Sequence, residues 1–70
     1  MKDNKFTRKL LANAETKVEL YQYDRMILNT YFEQDKIKFN KESLHSFLLN
    51  LYNNKELTMG EFRRLYSLTK

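Results

Sequence analysis

The first half of the chain repeats apolar residues at steps of three and four, the period of an amphipathic helix. The repeat consists of Phe6, Leu10, Ala14, Val18, Tyr21, Leu28 and Phe32, with Arg25 as its one interruption. One long helix fits this pattern, and so do two helices joined near residues 13–16, because Asn13 is typical of a helix end and Thr16 of a helix start. The firmest helical prediction covers residues 16–34.

A start signal at "FNKESL" predicts a second helix that begins near Lys41. The Asn40 side chain is suited to accept a hydrogen bond from a free backbone N–H of the first turn. Phe39 and Leu44 flank it at the spacing of a hydrophobic staple. The predicted core side of this helix consists of Leu44, Phe47, Leu48 and Leu51.

A fuller signal stands at "LTMGEF", where Thr58 and Glu61 have the spacing of a capping box. It predicts a last helix from Met59 to about Leu68, with a core side of Phe62, Leu65 and Tyr66. A short polar corner joins it to the preceding helix. The pattern as a whole therefore predicts a small all-α domain of three or four helices with a C-terminal helical hairpin.

Composition agrees with this fold class and limits the chemistry. The chain has 70 residues, one glycine, no proline and no cysteine, so disulfides and thiolate zinc sites are excluded. We expect a single cytoplasmic domain over residues 1–70, frayed at residues 1–5, with no membrane span. One helical turn could bring Glu42 and the single histidine, His45, together, but the sequence offers no third group and no glycine-rich phosphate loop, so neither an enzyme nor a cofactor is predicted.

A calcium loop is the first alternative for the stretch from residue 50 to residue 61. With Leu57 at the eighth loop position, the ligand positions fall largely on amide and tyrosine side chains, and Lys55 stands where the loop requires glycine. Glu61 is the only carboxylate among these positions. We therefore predict no metal site.

The stretch "LHSFLLNLYNNKELTMGEFRRLYSL", residues 44–68, resembles the short C-terminal (SHOCT) helical-hairpin domain. The resemblance rests on Leu57, Thr58, Glu61 and Phe62, which follow a leucine-rich helix and open a second helix. The family usually has a glycine before the aliphatic residue, whereas Asn53, Asn54 and Lys55 stand here. The resemblance implies a non-catalytic module for protein contacts or oligomerisation.

The apolar residues outnumber those that three short helices need for a core. The surplus forms a second stripe on the first helix and continues on the second, and it consists of Leu20, Tyr23, Ile27, Tyr31, Leu49 and Tyr52. Contiguous surfaces of this kind mark partner sites or homo-oligomer interfaces. The sequence therefore favours a small protein-binding regulator or inhibitor. The abundance of lysine and asparagine suggests an AT-rich coding sequence, as in a low-GC bacterium or in its phages and other mobile elements.

DNA binding by a helix-turn-helix-like arrangement is the alternative function. The last helix carries Arg63, Arg64 and Lys70, and the formal net charge is +4. However, the residues that open this helix, from Thr58 to Glu61, include none that reads a base edge with paired hydrogen bonds. In this alternative Arg63 and Arg64 would hold phosphates rather than recognise a sequence, although an arginine pair on the outer side of a surface helix more often serves solubility.

Overall fold

A computed structural model describes residues 4–16 and 20–69, and these ranges contain four α-helices and a short 3₁₀-helix. The elements are α1 (Lys5–Thr16), α2 (Gln22–Phe32), α3 (Lys41–Asn53), α4 (Met59–Tyr66) and the 3₁₀-helix (Ser67–Thr69). These ranges contain no strand. The predicted all-α class and the C-terminal hairpin of α3 and α4 are confirmed. Val18 and Lys70 lie outside the described residues.

The junction of α1 and α2 differs from the prediction of one firm helix over residues 16–34. Helix α1 ends at Thr16, and Leu20 and Tyr21 are not helical. Asn13 does not end a helix. It lies inside α1, where it is buried, and its side-chain Nδ2 donates a hydrogen bond of 2.7 Å to the carbonyl of Leu68. A partner 55 residues away, which no local pattern reveals, thus determines its role.

The start of α1 is fixed by Asn4. Its Oδ1 accepts a hydrogen bond of 2.8 Å from the backbone N–H of Thr7, and its Nδ2 donates to the carbonyl of Phe39 at 3.2 Å. Asn4 therefore caps α1 and joins it to the segment that leads into α3. Of the segment predicted to fray, residues 1–5, the structure describes only Asn4 and Lys5.

The core confirms the predicted inner sides of α3 and α4. Leu44, Leu48 and Leu65 are fully buried, and the other predicted core residues of these helices are half-buried against them. The remaining buried apolar residues are Leu10, Ala14, Leu20, Ile27, Leu28, Tyr31, Phe39, Leu57 and Leu68. Every helix thus contributes to a single core.

Tyr31 of α2 lies at the centre of an aromatic group within this core. Its ring meets Phe39 edge-on at 5.2 Å between centroids and packs at 5.5 Å from Phe47. Its hydroxyl lies 2.7 Å from that of Ser43, so the polar end of the ring is satisfied. Burial raises the pKa of the Tyr31 phenol above its ordinary value, and the hydrogen bonds to Ser43 and Asn40 oppose that rise.

Both predicted N-caps are present. The Asn40 side chain accepts a hydrogen bond of 2.8 Å from the backbone N–H of Ser43 at the start of α3. At the start of α4, the Thr58 hydroxyl accepts from the N–H of Glu61 at 3.2 Å, and the Glu61 carboxylate accepts from the N–H of Thr58 at 2.8 Å. These local signals place the two helices of the hairpin.

The corner between these helices depends on Lys55, which adopts a left-handed backbone with φ of 64°. The N–H of Lys55 donates to the carbonyl of Tyr52 at 3.0 Å, and the N–H of Glu56 donates to that of Leu51 at 2.9 Å. This hydrogen-bond pair is a Schellman motif, whose left-handed residue is usually glycine. A lysine therefore occupies a conformation that costs a side chain free energy.

We expect Lys55→Gly to raise the free energy of unfolding by about 0.5 to 1 kcal/mol, since glycine adopts the left-handed region without steric penalty. Chemical denaturation measures the change. Asn54→Gly is the matched control, because Asn54 has a right-handed φ of −86° and glycine should destabilise it. Equal losses of stability in both variants would contradict the left-handed corner.

Candidate protein-binding surface

The predicted surface stripe on the first half of the chain is only partly exposed. Leu20, Ile27 and Tyr31 are buried in the core, so the prediction that they form a binding surface is wrong. The inward side of α2 consists of residues 24, 27, 28 and 31 and lies between the two stripes inferred from sequence. Tyr21, assigned to the core stripe, is instead 64% exposed.

Tyr23 has a structural contact as well as an exposed surface. It is 39% exposed, and its hydroxyl donates a hydrogen bond to the carbonyl of Glu56 in the corner between α3 and α4. The residue therefore ties the beginning of α2 to the hairpin. Its role in a partner surface stays a prediction.

The other two predicted residues, Leu49 and Tyr52, do lie on the surface of the hairpin. They share one side of α3 with His45, because residues four and three apart on a helix are neighbours. Leu49 is 40% exposed and Tyr52 is half-buried. On α4, Met59 is 45% exposed. Phe62 and Tyr66, three and seven residues further along the same side of the helix, are half-buried.

Ring contacts join the two helices along this side. The His45 ring meets Phe62 at 5.7 Å and Tyr66 at 5.0 Å, both edge-on, and Tyr52 meets Phe62 at 6.0 Å. The Lys41 Nζ lies 5.8 Å from the centroid of Tyr66. We call this surface the α3–α4 face and define it as Lys41, His45, Leu49, Tyr52, Met59, Phe62 and Tyr66.

His45 is part of this aromatic surface. Its ring packs against Phe62 and Tyr66, and Glu42 lies one turn away on α3. In residues 4–16 and 20–69, no three His, Asp or Glu side chains are grouped as a metal site requires. None of the helices in the same ranges is long and apolar enough to cross a membrane.

The arginine pair of α4 is divided between two roles. Arg64 donates from Nε and Nη2 to the carboxylate of Asp24 at 2.7 and 3.1 Å, and its guanidinium lies 4.8 Å from the centroid of the Tyr21 ring. The hydrogen bond to Asp24 raises the pKa of Arg64 above its ordinary value. Arg63 is exposed. Arg64 is therefore engaged within the fold, contrary to its predicted role as a free phosphate ligand.

Asp24 is the most consequential residue that the sequence analysis missed. Its side chain is fully buried, and besides Arg64 it accepts a hydrogen bond of 3.3 Å from the backbone N–H of Tyr21. An acidic residue in the first turn of a helix is a recognisable local signal. Its partner, 40 residues further along the chain, has no such signal.

Comparisons of the chain with protein-family models, curated proteins and solved structures gave no match. The resemblance to the SHOCT hairpin therefore stays a prediction.

We expect Arg64→Ala to lower the free energy of unfolding by about 2 kcal/mol, because it leaves the buried Asp24 carboxylate without its counter-charge. The figure lies below the range for fully buried pairs, since the Arg64 side chain is 27% exposed and water reaches part of it. Urea denaturation measures the loss, with Arg63→Ala as the control at about 0.5 kcal/mol or less.

The single variant Asp24→Asn and the double variant Asp24→Asn with Arg64→Ala complete a double-mutant cycle with Arg64→Ala. The loss of stability in the double variant should be smaller than the sum of the two single losses, because the second substitution removes a charge that is already unpaired. Strictly additive losses, or an Arg64→Ala effect no larger than that of Arg63→Ala, would show that the pair does not hold the fold.

Proposed function

We propose that this protein is a non-catalytic module that binds another protein through its α3–α4 face and acts as a small regulator or inhibitor. The observation that carries the proposal is the row of half-buried rings on that face, bordered by exposed Leu49 and Met59. A partner that covers this row would bury both aromatic and aliphatic surface.

The energetics of the face favour a protein partner. Tyrosine and other aromatic residues are enriched at the energetic centres of protein interfaces, where they lose water on binding. Tyr52, Phe62 and Tyr66 are each half-buried, so part of each ring still contacts water. Because the fold already supports these rings at one side, a partner gains their area without ordering flexible side chains.

The shape of the face favours a helical segment as the partner element. Rings from both helices meet along the line between α3 and α4, and amphipathic helices bind apolar surfaces formed by paired helices with residues one turn apart. Leu49 and Met59 lie on opposite helices and border the row of rings. A partner helix lying between them would cover both.

DNA binding through α4 is the alternative function and has less support. Of its three proposed ligands, Arg64 is engaged by Asp24, and Lys70 lies outside the described residues. Of the two basic residues within α4, only Arg63 is exposed. One arginine is a small basis for phosphate recognition.

Site-specific photo-crosslinking tests the proposal. A benzophenone amino acid replaces Leu49 or, separately, Met59, and the control replaces Met26, which is 55% exposed on α2. We expect the two face positions to crosslink the same protein in host extract, and the α2 position not to crosslink it. Tyr52→Ala should then weaken binding of that purified protein by about 2 kcal/mol, the scale of an interface hot spot.

Two outcomes would overturn the proposal. One is equal crosslinking from the face and from α2, and the other is unchanged affinity in Tyr52→Ala with a native helical circular-dichroism spectrum. If the crosslinked species is a second copy of this chain, the face is a homo-oligomer interface and the regulatory role fails. Sedimentation of the purified protein over a concentration series identifies that case independently.

A further inference from the structure

A group of positive side chains lies at the end of the molecule where α1 meets the segment before α3. The hydrogen bond from Asn4 to the carbonyl of Phe39 holds these two parts of the chain together. Lys5 directly follows Asn4, and Lys38 directly precedes Phe39, so the two lysines flank the same contact. We call the group the basic end and define it as Lys5, Arg8, Lys9, Lys36 and Lys38.

The charges of the basic end are exposed and poorly balanced. All five side chains are exposed, and within the described ranges Lys5, Lys9, Lys36 and Lys38 have no ion-pair partner. By sequence, the two segments that carry the group, residues 1–9 and 33–38, hold six basic and three acidic residues and leave +3. The whole chain carries +4, so these two segments account for most of its net charge.

The opposite end of the molecule carries less net charge by the same count. Its basic residues Arg25, Lys55, Arg63 and Arg64 stand against three acidic ones, Asp24, Glu56 and Glu61, and leave +1. The positive charge is therefore concentrated and not spread evenly over a solvated surface. A local concentration of this kind attracts polyanions.

We propose that the basic end binds the phosphodiester backbone of nucleic acid without regard to sequence. Lysine and arginine contacts to phosphates supply most of the affinity in such complexes. The apolar residues nearest to the charges, Phe6, Ile37 and Phe39, pack on the core. They are not free to enter a lipid surface, which favours nucleic acid over an anionic membrane.

The site is separate from the α3–α4 face, so the two proposals stand or fall independently. Of that face, only Lys41 comes from the beginning of α3, next to the segment that carries Lys36 and Lys38. Its ammonium group lies over the Tyr66 ring. A chain with both surfaces would hold its protein partner close to nucleic acid.

Fluorescence anisotropy with a labelled mixed-sequence DNA duplex tests the basic end. The triple variant Lys5→Gln, Lys9→Gln and Lys38→Gln removes three of its charges. The matched control, Arg25→Gln, Lys55→Gln and Arg63→Gln, removes three exposed charges elsewhere, so both variants carry a formal net charge of +1. Circular dichroism confirms that each variant is folded.

We expect the wild-type chain to bind the duplex at low salt and to lose affinity steeply between about 50 and 200 mM salt, as counterion release requires. The basic-end variant should bind at least about tenfold more weakly and show a salt slope smaller by about 2 to 3. The control should stay within about threefold of wild type, because its lost charges act only at long range.

An equal loss of DNA affinity in both triple variants would overturn the proposal, because it would show that affinity depends on the net charge of the chain and not on where the charges lie. Absence of wild-type binding at low salt would overturn it as well, and so would binding to phosphatidylserine vesicles in place of DNA. The variant Leu49→Ala with Tyr52→Ala should retain DNA binding in full. Loss of DNA binding in that variant would place the nucleic-acid site on the α3–α4 face and contradict the separation of the two surfaces.

Discussion

The ion pair of Asp24 and Arg64 is the interaction on which the arrangement of this small domain depends. It joins the first turn of α2 to α4 across 40 residues, with a fully buried carboxylate as acceptor. A chain of 70 residues without cysteine has few other means to fix a short helix. Because Arg64 turns one side of α4 towards α2, the opposite side, with Phe62 and Tyr66, packs against α3 and forms the α3–α4 face.

Helix α4 has only 8 residues, and a helix of that length is not stable alone in water. Its position is supported from outside the hairpin by Arg64 on Asp24, by Asn13 on the carbonyl of Leu68, and by Tyr23 on the carbonyl of Glu56. The α3–α4 face therefore requires α1 and α2 as a platform. An isolated hairpin, as the SHOCT resemblance would suggest, lacks all three supports.

The sequence predicted those parts of the fold whose causes are local. Asn40 and Thr58 begin helices through contacts within three residues, and both were found from spacing alone. The start of α2 was missed because its N-cap, Tyr21, is not a usual capping residue, and because the Asp24 carboxylate that accepts from the Tyr21 N–H is balanced by Arg64, far along the chain. That error shifted the phase of the helix. Leu20, Ile27 and Tyr31 were therefore assigned to the surface, while Leu49 and Tyr52, on the correctly placed α3, were assigned to the side that the structure leaves accessible.

The claim that Asp24 holds α4 in place is tested most directly by the side-chain N–H of Arg64 in a proton–nitrogen correlation spectrum. A guanidinium N–H bonded to a buried carboxylate is protected from exchange with water, whereas an exposed one is not. The neighbouring Arg63 provides an internal reference, since it is exposed on the same helix. We predict that the Nε–H of Arg64 exchanges at least about tenfold more slowly than that of Arg63. Equal exchange at the two arginines would contradict the account.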